Sequence, residues 1–187
     1  DIFLIKYLFD IKKKIDINKI NIICEIGQGY GLLASKFLKI KKFKYIMIDL
    51  PESNFITSYF LKKQFPKIKI IQDMDLKNGI LSMEQINQAD IFILSPWVKI
   101  GKIKVDLFIN TRSMMEMNFS TISKYFELIH KNISKNGFFF NANRYIKFRA
   151  GQPIFLKDYP YDKFWKVINS SKSFYQDHIH QLITERK

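Results

Sequence analysis

Ile22-Ile23-Cys24-Glu25-Ile26-Gly27-Gln28-Gly29-Tyr30-Gly31, followed by Tyr45-Ile46-Met47-Ile48-Asp49, is the stretch whose reading decides the fold. An apolar run closes on an acidic residue, a glycine-alternating turn follows, and after an amphipathic segment a second apolar run closes on Asp49. That order spells strand, turn, helix, strand: a βαβ unit of the kind that holds a nucleotide. Gly27, Gly29 and Gly31 lack Cβ atoms, so the turn can take positive φ and let a ligand lie against bare backbone amides where the next helix starts. Asp49 falls at the carboxyl end of the second strand, the edge where open α/β sheets bind ligands, and a carboxylate there accepts both hydroxyls of a ribose.

What the ribose carries is a separate question, because dinucleotide oxidoreductases and S-adenosylmethionine methyltransferases share this layout. The dinucleotide fingerprint G-x-G-x-x-G would place its third glycine at position 32, which is Leu32. The glycines alternate through Gly31 instead. Glu25, two residues before the first glycine, can face the ammonium of a methionine moiety, whereas it would repel a pyrophosphate. The segment therefore favours S-adenosylmethionine over NAD or NADP, and a turn that merely joins a strand to a helix is the plain alternative.

Further words extend the pattern along the chain: Asp49-Leu50-Pro51-Glu52, Ile109-Asn110-Thr111-Arg112-Ser113-Met114-Met115-Glu116-Met117, Phe140-Asn141-Ala142-Asn143-Arg144-Tyr145, and Tyr159-Pro160-Tyr161-Asp162 with Trp165. Together with Glu25 to Gly31 they resemble class I S-adenosylmethionine-dependent methyltransferases, and more narrowly the sugar O-methyltransferases of bacterial surface-glycan clusters. The first motif is shared by a very large superfamily; the Asn-Thr-Arg-Ser-Met-Met-Glu-Met word is much narrower. The resemblance implies a Rossmann-like α/β fold, with a mostly parallel central sheet, helices on both faces and a C-terminal antiparallel strand pair. It also implies S-adenosyl-L-methionine held by Glu25, Gly27, Gly29, Tyr30, Gly31, Asp49 and Leu50. A sugar hydroxyl as the methyl acceptor comes from the resemblance alone.

Composition agrees with one domain over 1–187, its first 19 residues a helix and lead-in. With 187 residues, 47% of them hydrophobic and 16% aromatic, the chain can bury a core for one α/β sheet. It opens at Asp1 with neither an initiator Met nor a charged-then-apolar leader, so loss of an amino-terminal part is expected and a signal peptide is not. No apolar run approaches the ~18 residues of a membrane span. The one cysteine, Cys24, lies inside the first strand pattern as an inert buried thiol, and a reducing cytoplasm fits.

The net charge of +14 raises a nucleic-acid partner. Yet the excess is almost all lysine, with Arg112, Arg144, Arg149 and Arg186 the only arginines, and the lysines are scattered apart from Lys12-Lys13-Lys14 and Lys39-Lys41-Lys42-Lys44. A solvated surface is the better reading, and a glycan or other small-molecule acceptor the expected partner; an acidic one would be helped by the charge.

The remaining elements follow from periodicity. Helices are predicted over 2–15, 31–40 (Leu32, Leu33, Phe37 and Leu38 inward), from Pro51 to Pro66 (Phe55, Ile56, Tyr59 and Phe60 buried), near 82–88 and over 117–133. Strands are predicted over 20–26, 44–49, 105–110 and 138–143. Residues 68–71 and 91–94 are both strand-like, with 91–94 favoured as the sheet member. Trp165 is predicted in a helix, ahead of short strands near 173–176 and 179–185.

Methyl transfer from a sulfonium is an in-line displacement, so the protein must align the acceptor and take a proton from its hydroxyl. Glu116 is the first candidate for that proton, its alternative a carboxylate favoured at a helix start. Arg144, at the end of the next strand, can clamp an acidic or hydroxyl-rich acceptor, or else form a salt bridge to a nearby acid. Asn110 and Ser113 lie where the strand-four loop of a methyltransferase approaches the reactive methyl. That loop lacks the Asn-Pro-Pro-aromatic word of amino-methylating enzymes, which favours oxygen as the acceptor. Met114, Met115 and Met117 read as core filler, and Trp97 either covers an adenine or simply packs. No metal site is expected: His178 and His180 alternate on a strand pattern beside Asp177 without a third ligand, and His130 reads as structural. The competing readings are a nicotinamide oxidoreductase and a non-catalytic or RNA-binding Rossmann-like module.

Overall fold

The apolar runs of the sequence become the middle of one eight-stranded sheet. The structure, a computed structural model, describes residues 2–148, 153–174 and 176–187. In chain order it runs through α1 (Ile2–Lys14), β1 (Ile22–Ile26), α2 (Leu32–Leu38), β2 (Lys44–Ile48), α3 (Pro51–Gln64), β3 (Ile70–Gln72), β4 (Ile80–Leu81), α4 (Met83–Gln88), β5 (Ile91–Leu94) and β6 (Lys99–Ile100). It continues with β7 (Val105–Thr111), α5 (Phe119–Asn132), β8 (Ile133–Arg144), β9 (Ile146–Lys147), β10 (Ile154–Phe155), β11 (Trp165–Lys172) and β12 (Ile179–Arg186). The large sheet has the order β11-β12-β8-β7-β1-β2-β5-β3. Neighbours from β8 to β3 are parallel, whereas β12 pairs antiparallel with both β8 and β11. The α/β class, the mostly parallel sheet and the closing antiparallel pair are thus as the sequence predicts.

Both faces of the sheet are covered, which is why its inner strands are apolar throughout rather than alternating. Cys24, Ile26, Ile46, Phe92, Phe108 and Phe139 pack on one face with Ile122, Phe126 and Ile129 of α5. Ile23, Tyr45, Met47, Ile109 and Phe140 pack on the other with Tyr7 and Ile11 of α1, Leu33 and Phe37 of α2, and Leu61 of α3. Local signals set the helix starts: the Asn118 side chain accepts from the Thr121 amide at 2.9 Å, Ser82 and Gln85 form a reciprocal cap on α4, and Pro51 opens α3. Cys24 is fully buried, and burial pushes its thiol up. Among the described residues no helix is long and apolar enough to cross a membrane.

Five expectations need correction. In α3 the buried residues are Thr57, Ser58 and Leu61, while Phe55, Ile56 and Tyr59 are exposed and Phe60 is half-buried. Apolar periodicity chose the wrong side because this helix lies against the glycine turn, where Thr57 donates its hydroxyl to the Gly29 carbonyl beside Leu61. Leu32 and Leu38 of α2 are half-buried where Leu33 and Phe37 are fully so. Residues 70–72 and 91–94 both enter the large sheet, the favoured 91–94 inside beside β2 and 70–72 at the edge. Trp165 is on a strand, not a helix: it opens β11 opposite Arg186, with its ring against Phe139, His130 and Tyr161. The strand expected near 173–176 accordingly lies earlier and ends at Lys172, and residue 175 lies outside the described residues.

Candidate functional site

The turn after β1 has the backbone that its glycines allow, with φ of 75° at Gly27, 58° at Gly29 and 85° at Gly31. Two of the three are also forced by space. A Cβ on Gly27 would stand 2.1 Å from Ser113 Cβ, and one on Gly31 would stand 2.9 Å from Thr57 Cγ2. Gly29 meets nothing within 4 Å, so its α-carbon faces open space above the turn.

Asp49 is fastened to this turn. Its carboxylate accepts from the Gly29 amide at 2.9 Å and from the Leu50 amide at 2.8 Å, one bond to each oxygen. Each oxygen keeps a further lone pair, so the group can still accept ribose hydroxyls. Two residues outside the motif complete the cradle. Thr57 donates its hydroxyl to the Gly29 carbonyl at 2.6 Å, and Asn54 donates to the Asp49 carbonyl at 3.0 Å while accepting from Gln28 Nε2 at 2.8 Å. Gln28 Oε1 is buried with no partner among the described residues. Sequence reasoning missed Asn54 and Thr57; the signal was there in the polar residues of an otherwise apolar-patterned helix. Tyr30 and Leu50 stand exposed at the mouth, Tyr30 with its ring edge-on to Phe60 at 5.4 Å.

Glu25 lies deeper than the motif suggests. It is 1% exposed and accepts the Tyr45 hydroxyl at 2.8 Å. Burial pushes its carboxyl up to about 7; the Tyr45 bond works against that rise and the nearby Asp49 charge adds to it.

The second half of the edge is built around β7 and β8. Asn110 is fully buried: its amide donates to the Ile26 carbonyl at 2.8 Å and to Ser113 Oγ at 2.5 Å, and its carbonyl accepts from Asn143 at 2.7 Å. Ser113 in turn donates to the Ile26 carbonyl at 3.0 Å. Asn143 accepts from the Met115 amide at 2.9 Å and donates to Asn141, whose amide reaches Tyr161 at 3.0 Å. This buried network clamps the loop after β7 onto the end of β1. Met114 and Met115 are core, as predicted, and Met117 is half-buried.

Glu116, in the turn after β7, and Arg144, at the end of β8, are both exposed and both on this same edge. Neither forms a hydrogen bond or ion pair through its side chain among the described residues, and they do not pair with each other. A cavity of about 590 Å³ opens past the end of β2, lined by Ile48, Trp97, Val98, Thr121, Tyr125 and Leu128. Trp97 is 68% exposed over it. The histidines are elsewhere: His130 accepts from Trp165 Nε1 at 3.0 Å, His180 bonds Tyr145 and Ser170, and His178 falls in the turn before β12 rather than on it. No cluster of three or more metal-ligating side chains occurs among the described residues.

No family model matches the chain, and no curated protein sequence matches it. Solved structures do. The mitomycin 7-O-methyltransferase MmcR covers the whole chain at 9% identity with a TM-score of 0.59, although the chain spans only 54% of that protein. The magnesium protoporphyrin IX methyltransferase ChlM from Synechocystis PCC 6803, solved with bound SAM, covers 98% of the chain at 11% identity and a TM-score of 0.64, with 79% of its own length matched. The glycopeptide N-methyltransferase MtfA, solved with sinefungin, covers 99% at 7% identity and a TM-score of 0.60, with 87% of its length matched. These similarities span O- and N-methylating proteins and agree on architecture, so the chain has the Rossmann-like fold of class I S-adenosylmethionine-dependent methyltransferases.

Proposed function

We propose that the chain is an S-adenosyl-L-methionine-dependent O-methyltransferase that methylates a sugar hydroxyl in surface-glycan biosynthesis, acting in the cytoplasm as a single catalytic domain. The observation that carries the methyltransferase part is the cradle at the carboxyl edge: three positive-φ glycines, the middle one bonded to Asp49, inside a class I fold. Two features support a ligand there, the open space over Gly29 and the unpartnered Gln28 Oε1. The sugar part rests on the Asn110 to Met117 word.

Asp49 would bind the ribose hydroxyls, the Gly27 to Gly31 backbone would lie under the methionine portion, and Tyr30, Leu50 and Trp97 would flank the adenosine. Glu25 would meet the ammonium; a cation there favours the ionised carboxylate. When bound, the cofactor supplies a methyl group activated by its sulfonium. The chain's own task is then to hold an acceptor oxygen in line and remove its proton. Glu116 would take that proton and pass it to solvent, and Arg144 would fix the acceptor through paired hydrogen bonds. Asn110 and Ser113 would set the loop that brings Glu116 to the acceptor.

Calorimetric titration with S-adenosylmethionine and S-adenosylhomocysteine, beside NAD and NADP, tests the reading. Micromolar binding of the adenosyl ligands is expected, with Asp49→Ala losing about 2 kcal/mol of affinity. Binding of NAD instead would overturn it, as would RNA affinity that falls steeply with salt in the absence of adenosyl binding. Once an acceptor is in hand, Glu116→Gln should lower kcat about 100-fold and leave cofactor affinity unchanged.

A further inference from the structure

Lys147 lies on β9, three residues past the end of β8, and the mechanism above gives it no task. It is 4% exposed, and its Nζ is out of solvent contact with no hydrogen-bond partner among the described residues. Burial pulls its proton affinity down, and the Glu116 carboxylate works in the opposite sense, favouring the ammonium. The two groups are therefore neighbours, yet they form no ion pair. A buried ammonium with no hydrogen-bond partner is an expensive arrangement for a fold to carry, because the water it gave up has not been replaced. Where such a group persists at the ligand-binding edge of a sheet, a ligand of opposite charge is the natural partner.

We propose that Lys147 is the anion-binding residue of the acceptor site, receiving a carboxylate or phosphate oxygen carried by the sugar whose hydroxyl is methylated. This rests on the methyltransferase reading and narrows it: the acceptor is an acidic or phosphorylated sugar, not a neutral one. Position supports the assignment. Glu116 and Lys147 follow neighbouring parallel strands, β7 and β8, and the loop carrying Glu116 touches Gly27 through Ser113. Exposed Arg144 adds a second cation on the same edge. Lys147 stands opposite Ile154 in a short ladder, two residues from β9 against two from β10. The net charge of +14 would draw such an acceptor in.

The test uses the full chain loaded with S-adenosylhomocysteine, at constant ionic strength. Glucuronate and glucose 1-phosphate probe the carboxylate and phosphate forms, and glucose is the neutral control. At tens of millimolar, one or both anionic sugars should raise Tm by about 3 °C and glucose should not. Lys147→Met should lose that rise, and Lys147→Arg should keep it. Without any substitution, the same sugars should slow acetylation of the Lys147 amine at least threefold, read by mass spectrometry, while exposed Lys163 is unaffected. A rise that persists in Lys147→Met overturns the proposal, as does a wild-type protein that neither anion shifts or protects. S-adenosylhomocysteine binding is read separately by calorimetry. If it is absent while the Lys147-dependent shift remains, the anion site stands and the methyltransferase reading falls.

Discussion

The two halves of the sheet's carboxyl edge are held in opposite ways. Around Gly27 to Gly31 the charged group is anchored: each oxygen of Asp49 already accepts a backbone amide, and Thr57 and Asn54 close the cradle from α3. Past β7 and β8 the buried amides of Asn110, Asn141 and Asn143 satisfy one another, while the charged groups above them, Glu116, Arg144 and Lys147, have no ion partner among the described residues. A cradle whose shape is set before its ligand arrives suits an invariant cofactor. Charges left unpaired suit a group whose partner arrives with the substrate.

Four substitutions would break or sharpen this contrast. The largest effect should come from under the β7–β8 half of the edge. Asn143→Leu strands the Met115 amide and removes a donor from both Asn110 and Asn141, so urea unfolding should report a loss of about 4 kcal/mol. Next comes the cradle, where neighbouring glycines should differ. Gly27→Ala drives a Cβ into Ser113 and should cost about 3 kcal/mol, whereas Gly29→Ala bears only its left-handed backbone and should cost about 1 kcal/mol. Equal losses at both positions would mean that contact with Ser113 does not constrain the turn. The last effect is a matter of pH. The Glu25 carboxyl is raised from 4.5 to about 7, so the folded chain holds a proton there that the unfolded chain releases. The stability this lends is present below the unfolded value and is lost as pH rises through about 7. Glu25→Gln removes the titration. Unfolding from pH 5 to 8 should therefore show the variant gaining about 2 kcal/mol on the wild type across that interval.

Legibility followed the range of the forces involved. The turn could be read because its requirement is local: positive φ at alternating positions needs glycine, and Asp49 sits at a fixed offset from the strand it ends. The expected buried face of α3 failed because the rule for apolar periodicity assumes an apolar neighbour, and the neighbour here is a glycine backbone that admits Thr57 and Ser58. Trp165 was misassigned for a similar reason, since its strand exists through pairing with residues some twenty positions on and a pocket formed by Phe139, Tyr161 and His130. Glu116 and Arg144 could be placed on the correct edge from strand ends alone. Lys147 could not be singled out, because nothing near it in sequence distinguishes it from the chain's many surface lysines; only the tertiary burial of its amine does so.

Cys24 offers a practical opening. As the chain's only cysteine, sealed between strands with its thiol driven toward the protonated form, it should ignore maleimides and iodoacetamide under native conditions. The protein therefore behaves as a thiol-free scaffold: one cysteine placed beside Arg144 would carry a fluorophore or spin label at a single known address, with no background residue to remove first.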